Sequence, residues 1–194
     1  MSQQVFGSSD QTAVSVLIRF WREGDPDAGW RLAELMYEDF RHMARGYMRR
    51  ERPDHTLQPT ALVNEMDVRV FAGTALHVTD RRHLLAIAAR QLRRILINYA
   101  RDSRTSKRGS GSIKVSLDQL GDLPGREPPD LVQLDISLAT LQKLDPRAEQ
   151  VVTLRYFAGL TEAETAEALG VSISSVKRDW DFARTWLVRE LGRN

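Results

Sequence analysis

The side chains best suited to chemistry in this chain are cations, and the chemistry they suit is the binding of phosphate. Between Asp80 and Gly109 stand Arg81, Arg82, Arg90, Arg93, Arg94, Arg101, Arg104, Lys107 and Arg108, opposed only by Asp80 and Asp102. Arg90, Arg94, Arg101 and Arg104 recur at spacings of four, seven and three residues. On a helix such spacings place side chains on one face. A cationic face of that kind is an electrostatic footprint for a phosphate backbone. Asn98 and Tyr99 lie on the same stretch, within reach of bases that have left a stack, where one aromatic contact is worth ~1–3 kcal/mol per base. The bland alternative is a solvated charged face that serves solubility.

A second pattern runs from Thr161 to Trp180, TEAETAEALGVSISSVKRDW. A helix-turn-helix needs a small residue where its helices cross, a turn residue tolerant of positive φ, and an apolar anchor in the second helix. Ala166, Gly170 and Val176 stand at those places, with Leu169 and Val171 as further core positions. Ser172 or Ser174 is suited to cap the second helix. Thr165 stands where an aliphatic residue is common. The second helix then presents Ser174, Ser175, Lys177 and Arg178 near its start and Arg184 further along, a layout suited to base edges and phosphates. The alternative here is a helical hairpin with a charged, solvated face.

Covalent chemistry finds no purchase. The histidines His42, His55, His77 and His83 show no metal-ligand spacing, and the absence of cysteine excludes disulfides and thiolate sites. No Gly-rich phosphate loop or serine-nucleophile elbow is present. We expect no enzyme activity, no catalytic residue, no cofactor and no metal.

The elements that position these residues are helical. Val14, Leu17, Ile18 and Trp21 form an apolar stripe before Gly24-Asp25-Pro26, and Leu32, Leu35, Met36, Phe40, Met43 and Tyr47 continue the spacing on a second helix. A third helix is predicted at about 60–71, with Leu62, Val63, Met66 and Val70 on one face. A fourth is predicted at about 80–104, burying Leu84, Leu85, Ala88, Leu92, Ile95, Leu96 and Tyr99. From Ser110 to Pro129 glycines and prolines interrupt any helix, leaving room for a short extended piece at 113–117. Beyond it, Leu134, Ile136, Leu138 and Leu141 form an apolar set before Asp145-Pro146 starts another helix. That helix turns Val151, Val152, Leu154 and Tyr156 to a core and closes at Gly159. The expectation is an all-α chain of two small helical domains, residues 11–108 and 131–194, joined by a flexible linker at 109–130. The 194 residues suffice for that, and 42% apolar content suits a globular protein. No signal peptide and no membrane-length apolar run is seen, so a soluble, cytoplasmic protein without membrane insertion is expected.

Order and spacing together carry a resemblance. The Trp21–Asp25 opening, ERPDHTLQPTALVNE (51–65), HLLAIAARQLRRIL (83–96), TSKRG (105–109) and LDPRAEQVVTLRYFAGLTEAETAEALG (144–170) resemble extracytoplasmic-function (ECF, group IV) RNA polymerase sigma factors, in the ECF-like branch, over about residues 12–192. The resemblance implies that the first block is sigma domain two, which binds core RNA polymerase and recognises and melts the minus-ten element. The second would be sigma domain four, with a helix-turn-helix for the minus-thirty-five element. Leu62, Val63, Glu65, Arg69 and Val70 match the family's polymerase-binding helix. The basic helix from Arg90 to Arg101 matches the minus-ten and melting helices, and the Ser174–Arg178 segment matches the recognition helix. Core polymerase and promoter DNA are the implied partners. The rival reading is a stand-alone helix-turn-helix transcriptional regulator, which predicts a dimer on a palindromic site.

One departure from the family pattern suggests regulation. Relatives place carboxylates just before the Leu-Val of the polymerase-binding helix, whereas Gln58-Pro59-Thr60-Ala61 carries no charge. Capping of the helix by Thr60 alone accounts for the residue type and is the favoured role. The alternative is phosphorylation of Thr60, less so of Thr56, restoring the missing charge. A Ser/Thr kinase or an anti-sigma factor is accordingly the candidate regulator. Asp67, where an apolar or aromatic residue is typical, is a second departure.

Overall fold

The computed structural model describes residues 8–48, 58–72, 78–106 and 130–192. Among these the regular structure is helical throughout. The elements are α1 (Ser8–Arg22), α2 (Pro26–Met48), α3 (Pro59–Phe71), α4 (Arg81–Ser106), α5 (Leu131–Leu144), α6 (Pro146–Val152), a π-helical turn (Thr153–Phe157), α7 (Glu162–Leu169) and α8 (Ile173–Leu191). The expected linker up to residue 129, with its suggested extended piece, lies outside the described residues, as does Thr56.

Aspartates start four of these helices, because a carboxylate satisfies amides that have no partner inside a first turn. Asp25 accepts from the amides of Asp27 (2.9 Å) and Ala28 (3.3 Å), with Pro26 at the first helical position of α2. Asp80 accepts from His83 (2.9 Å), and Asp145 from Arg147 (3.1 Å) and Ala148 (3.0 Å). Asp130 and Gln133 form a capping box at the start of α5. Helix α3 starts differently. Its cap is Gln58, with Pro59 following and no side-chain hydrogen bond, so Thr60 is not the cap the sequence suggested. Proline at the first position already fixes φ and lacks one of the amides that a first turn leaves without a partner, which places Thr60 inside the helix, exposed.

In the first group α1 packs on α2, α2 on α3 and α3 on α4. Ile18, Leu32, Met36, Phe40, Met43, Leu62, Met66, Leu84, Leu92 and Leu96 are fully buried. Trp21 and Phe40 flank Phe71 with ring centroids 5.1 and 6.3 Å away. Leu35 is 42% exposed, because its place beside Met36 turns it off the stripe that Leu32, Met36, Phe40 and Met43 keep at three- and four-residue steps. Ile136 likewise lies 62% exposed while Leu134, Leu138 and Leu141 are buried. In the second group α5, α6 and α8 pack together and α7 closes on α8. Helix α6 does not end in a simple glycine stop at Gly159. It widens into a π-turn, with the Ala158 amide donating to Thr153 O (3.2 Å), before Gly159 takes φ +69°.

The two groups meet along α4, which packs on α3 on one side and on α5, the π-turn and α7 on the other. One continuous buried cluster joins them.

Burial leaves one carboxylate at a cost. Asp67 Oδ1 in α3 is buried without a hydrogen-bond partner, and desolvation lifts the carboxyl from 3.8 to about 6. A raised folded-state value means that the folded chain holds this proton more tightly than the unfolded chain. This group's contribution to stability therefore falls as pH rises through that window and stays lowest above it. Asp67→Asn is expected to raise the unfolding free energy at pH 7 by about 1 kcal/mol, the full linkage value being reduced by partial solvent access. It should also flatten the pH dependence between 3.8 and about 6, both read from urea unfolding across that range.

Candidate nucleic-acid interface

The helix-turn-helix is built from α7 and α8. Thr161 Oγ1 accepts from the Glu164 amide (3.2 Å), while Glu164 Oε2 accepts from the Thr161 amide (2.7 Å). This capping box starts α7. Gly170 ends it at φ +66°, a left-handed conformation that side-chain-bearing residues rarely adopt. The Val171 amide reaches back to Ala166 O (3.0 Å). Ala166, Val151 and Val176 form the small core beneath the turn, with Leu169, Val171 and Trp180 packed around it. Ser172, rather than Ser174, caps α8: its hydroxyl accepts from the Ser175 amide at 3.1 Å. Deeper in, Asp179 is buried and takes Arg147 in a two-pronged contact (Nε–Oδ2 2.6 Å, Nη2–Oδ1 3.0 Å), fastening α8 to α6. Asp179 also raises the Arg147 pKa above its ordinary value, through that hydrogen bond first and Coulomb attraction second.

This frame sets out the expected recognition residues unevenly. Lys177 and Arg178 are exposed, with side chains 60% and 71% accessible. Ser174 is exposed too, whereas Ser175 is half-buried, its hydroxyl 2.9 Å from that of Ser172. Arg184 is exposed further along α8. Two apolar neighbours on the same helix were not expected: Ile173 at its start and Phe182 are 47% and 46% exposed. Arg155 on the π-turn lies with its guanidinium 4.3 Å from the centroid of the Trp180 ring and 3.6 Å from Glu162. Desolvation lowers its pKa, opposed by Glu162 and Asp181.

Helix α4 divides its cations between two environments. Arg90 and Arg94 are exposed, Arg101 is 55% accessible, and with Asn98 all four line an open cleft of roughly 400 Å³ between α4 and α5. Arg93 lines the same cleft from within. Its guanidinium gives Asp135 Oδ1 two bonds (Nε 3.0 Å, Nη2 2.8 Å), a third to Asp135 O (3.2 Å), and a short one from Nη1 to Glu149 Oε1. Thr153 donates to that same Glu149 oxygen at 2.8 Å. Arg93 is thus only 14% accessible and does not share the open face of Arg90 and Arg94. Tyr99 is half-buried. The side chain of Arg104, and Lys107 and Arg108 entirely, lie outside the described residues.

On α3, Leu62, Val63 and Val70 face the core at 1% exposure or less, leaving Glu65 and Arg69 as an outward ion pair at 2.7 Å. Val68, 68% exposed, and Asn64 complete that outer surface. Neither was expected, although the spacing of the buried residues defines the opposite face on which both fall.

The all-helical fold with its helix-turn-helix suits a class of DNA-binding proteins of transcription, and the family match places the chain there. More narrowly, the chain belongs to the ECF sigma factor family, whose model matches residues 11–193. That family is not one of enzymes. Among solved structures, that of CnrH in complex with the cytosolic domain of CnrY is similar over 94% of this chain and 99% of that one, at 20% identity and a TM-score of 0.41. No curated protein matches the chain. Among the described residues no helix is long and apolar enough to cross a membrane.

Thr165 in α7 is fully buried, and its hydroxyl has no hydrogen-bond partner. Thr165→Val keeps the shape and removes the orphaned group. It is expected to stabilise the protein by about 1 kcal/mol in urea unfolding, with DNA affinity unchanged.

Proposed function

We propose that this protein is a sigma subunit that binds core RNA polymerase and directs promoter recognition and transcription initiation. The observation that carries the reading is the pairing of two cationic elements on one chain: Lys177 and Arg178 on a capped recognition helix, and Arg90, Arg94 and Arg101 along α4. A small regulator of duplex DNA needs only the first. In this reading the minus-thirty-five element meets Ser174, Lys177 and Arg178 in the major groove, where a good bidentate contact discriminates bases by ~1–3 kcal/mol. The minus-ten strand runs along α4 with its phosphates on Arg90, Arg94 and Arg101. Opening the duplex costs a few kcal/mol per unstacked base, which phosphate contacts and stacking offset. Core polymerase takes the outer surface of α3, with Glu65, Arg69, Asn64 and Val68 in contact and Leu62, Val63 and Val70 holding the helix in place.

The test is addition of the purified protein to sigma-free core polymerase with genomic DNA fragments. New transcript starts sharing an upstream sequence are the expected result. Sequence-specific binding by a dimer of the protein alone, with no polymerase complex, would replace this reading with the stand-alone regulator. Lys177→Ala and Arg178→Ala are each expected to reduce promoter-specific transcription roughly five- to a hundredfold, about 1–3 kcal/mol, without weakening the polymerase complex.

Thr60 belongs to the same proposal. It is exposed at the second position of α3, it is not needed as a cap, and no acidic residue lies in that first turn. A phosphate there would add about −1.5 to −2 charge beside the positive end of the helix. The reading is that a Ser/Thr kinase promotes polymerase binding through Thr60. Thr60→Glu is expected to bind core polymerase more tightly than Thr60→Ala in a pull-down titration. Equal affinity of both variants and of kinase-treated protein would remove Thr60 from the mechanism.

A further inference from the structure

Glu162, the first residue of α7, has no part in the capping box that starts this helix, which Thr161 and Glu164 form between them. Its two carboxylate oxygens face two cations instead. Oε1 lies 3.6 Å from Arg155 Nη1, and Oε2 lies 3.6 Å from Lys177 Nζ on the recognition helix. Neither contact is close enough for a hydrogen bond. The attraction is therefore Coulombic and leaves the Lys177 ammonium able to turn to another acceptor. Arg155 is backed by the Trp180 ring, 4.3 Å from its guanidinium, and its side chain is 22% accessible. Lys177 is far more open, at 60%, and carries its charge on a flexible stem. Offsetting the positive end of α7 is the simpler role for an acidic residue here. Glu164 in the same turn already fills it.

We propose that Glu162 is a positioning residue for promoter choice. It holds the Lys177 ammonium over the start of α7 and offsets its pull on phosphate, so that Lys177 contributes at the right base rather than on any duplex. The inference rests on the reading of α8 as the recognition helix. Specificity is a difference of affinities, and repulsion toward the wrong site widens it as attraction to the right one does. In a helix-turn-helix the first helix crosses the DNA backbone while the second enters the groove. A carboxylate at the start of α7 then stands near phosphates and discourages unselective contact. On arbitrary DNA, Lys177 stays with Glu162 and adds little to binding. At the promoter a guanine offers O6 and N7 to the lysine, acceptors at hydrogen-bond distance in place of a carboxylate at 3.6 Å, and the ammonium moves over. Guanine is thus the base favoured where Lys177 meets the groove.

Glu162→Gln tests this, since it keeps the size of the side chain and the Thr161–Glu164 box while removing the charge. The readout is anisotropy of a fluorescent duplex of arbitrary sequence, titrated with the full chain between about 50 and 200 mM salt. A lysine released to one phosphate should steepen the slope of log affinity against log salt by about 0.9, and tighten binding roughly eightfold near 0.1 M. Adding Lys177→Ala should cut that gain to less than about twofold, as a double-mutant cycle reads it. Glu162→Asp, which restores the charge, should return the slope toward that of the unsubstituted chain. In transcription by the holoenzyme on genomic fragments, starts obtained with Glu162→Gln should share their upstream sequence less strictly at a guanine. An unchanged salt slope accompanied by lower stability in urea would mark Glu162 as structural and overturn the proposal. An equal gain without Lys177, or an undiminished guanine preference, would overturn it too. Duplex binding involves no polymerase, so its failure is distinguishable from failure of the sigma reading, which transcript starts with the unsubstituted protein report.

Discussion

A cationic helix buried on most of its sides is the constraint to which the rest of this structure answers. Helix α4 is the wall shared by both helical groups, and Leu84, Ala88, Ala89, Leu92, Leu96 and Ile97 are buried along it. An unpaired guanidinium in such surroundings costs several kcal/mol, so each arginine must reach water or find a carboxylate. Arg90, Arg94 and Arg101 reach water. Arg81 turns inward and meets Asp39 of α2 at 2.6 Å, and Arg93 takes Asp135 and Glu149. Those carboxylates are supplied by other helices, so the charge balance of α4 dictates how α2, α5 and α6 lie against it.

Backbone proximity sets the remaining geometry. Gly46 and Gly159 let the first group and the end of the π-turn approach more closely than any side chain permits. The π-turn leads directly into the left-handed Gly159 and then the helix-turn-helix. A wider turn inside a helix shifts the register of the residues beyond it and is a common way to re-aim a functional segment. Here it carries Arg155 onto the face of Trp180 and places α7 against α4. Recognition helix and cationic helix are thereby parts of one packed unit in the form described.

The cleft lined by Arg90, Arg94 and Arg101 is also the one at which Arg93 is engaged by carboxylates. Buried ion pairs add little to stability compared with well-packed apolar groups, and in some proteins they select one arrangement. Arg93 with Asp135 and Glu149 fits that role of selection better than one of strength. On α3 the division is plain: Leu62, Val63 and Val70 are committed to the core, and Glu65, Val68 and Arg69 face outward.

The all-α class, the course of the helices, the crossing of Ala166, Gly170 and Val176, and the family itself were legible in the amino-acid sequence alone. Each depends on local spacing, on the φ tolerance of glycine or on motif order, all of which are properties of neighbours along the chain. The exposed sides of α2 and α5 were less so: Leu35 and Ile136 fall off their stripes because an apolar residue type does not say which of two adjacent positions meets the core. The destination of Arg93 was not legible at all. Its spacing from Arg90 and Arg94 is that of a shared basic surface, and only the approach of Asp135 and Glu149, 42 and 56 residues away, turns it inward. Thr60 lost its expected cap to Pro59, and Gly46 showed its purpose only against Gly159. Local physics reads helices and turns from the sequence, whereas pairing between distant charges and backbones is decided by tertiary structure, because only folding brings them within a few ångströms.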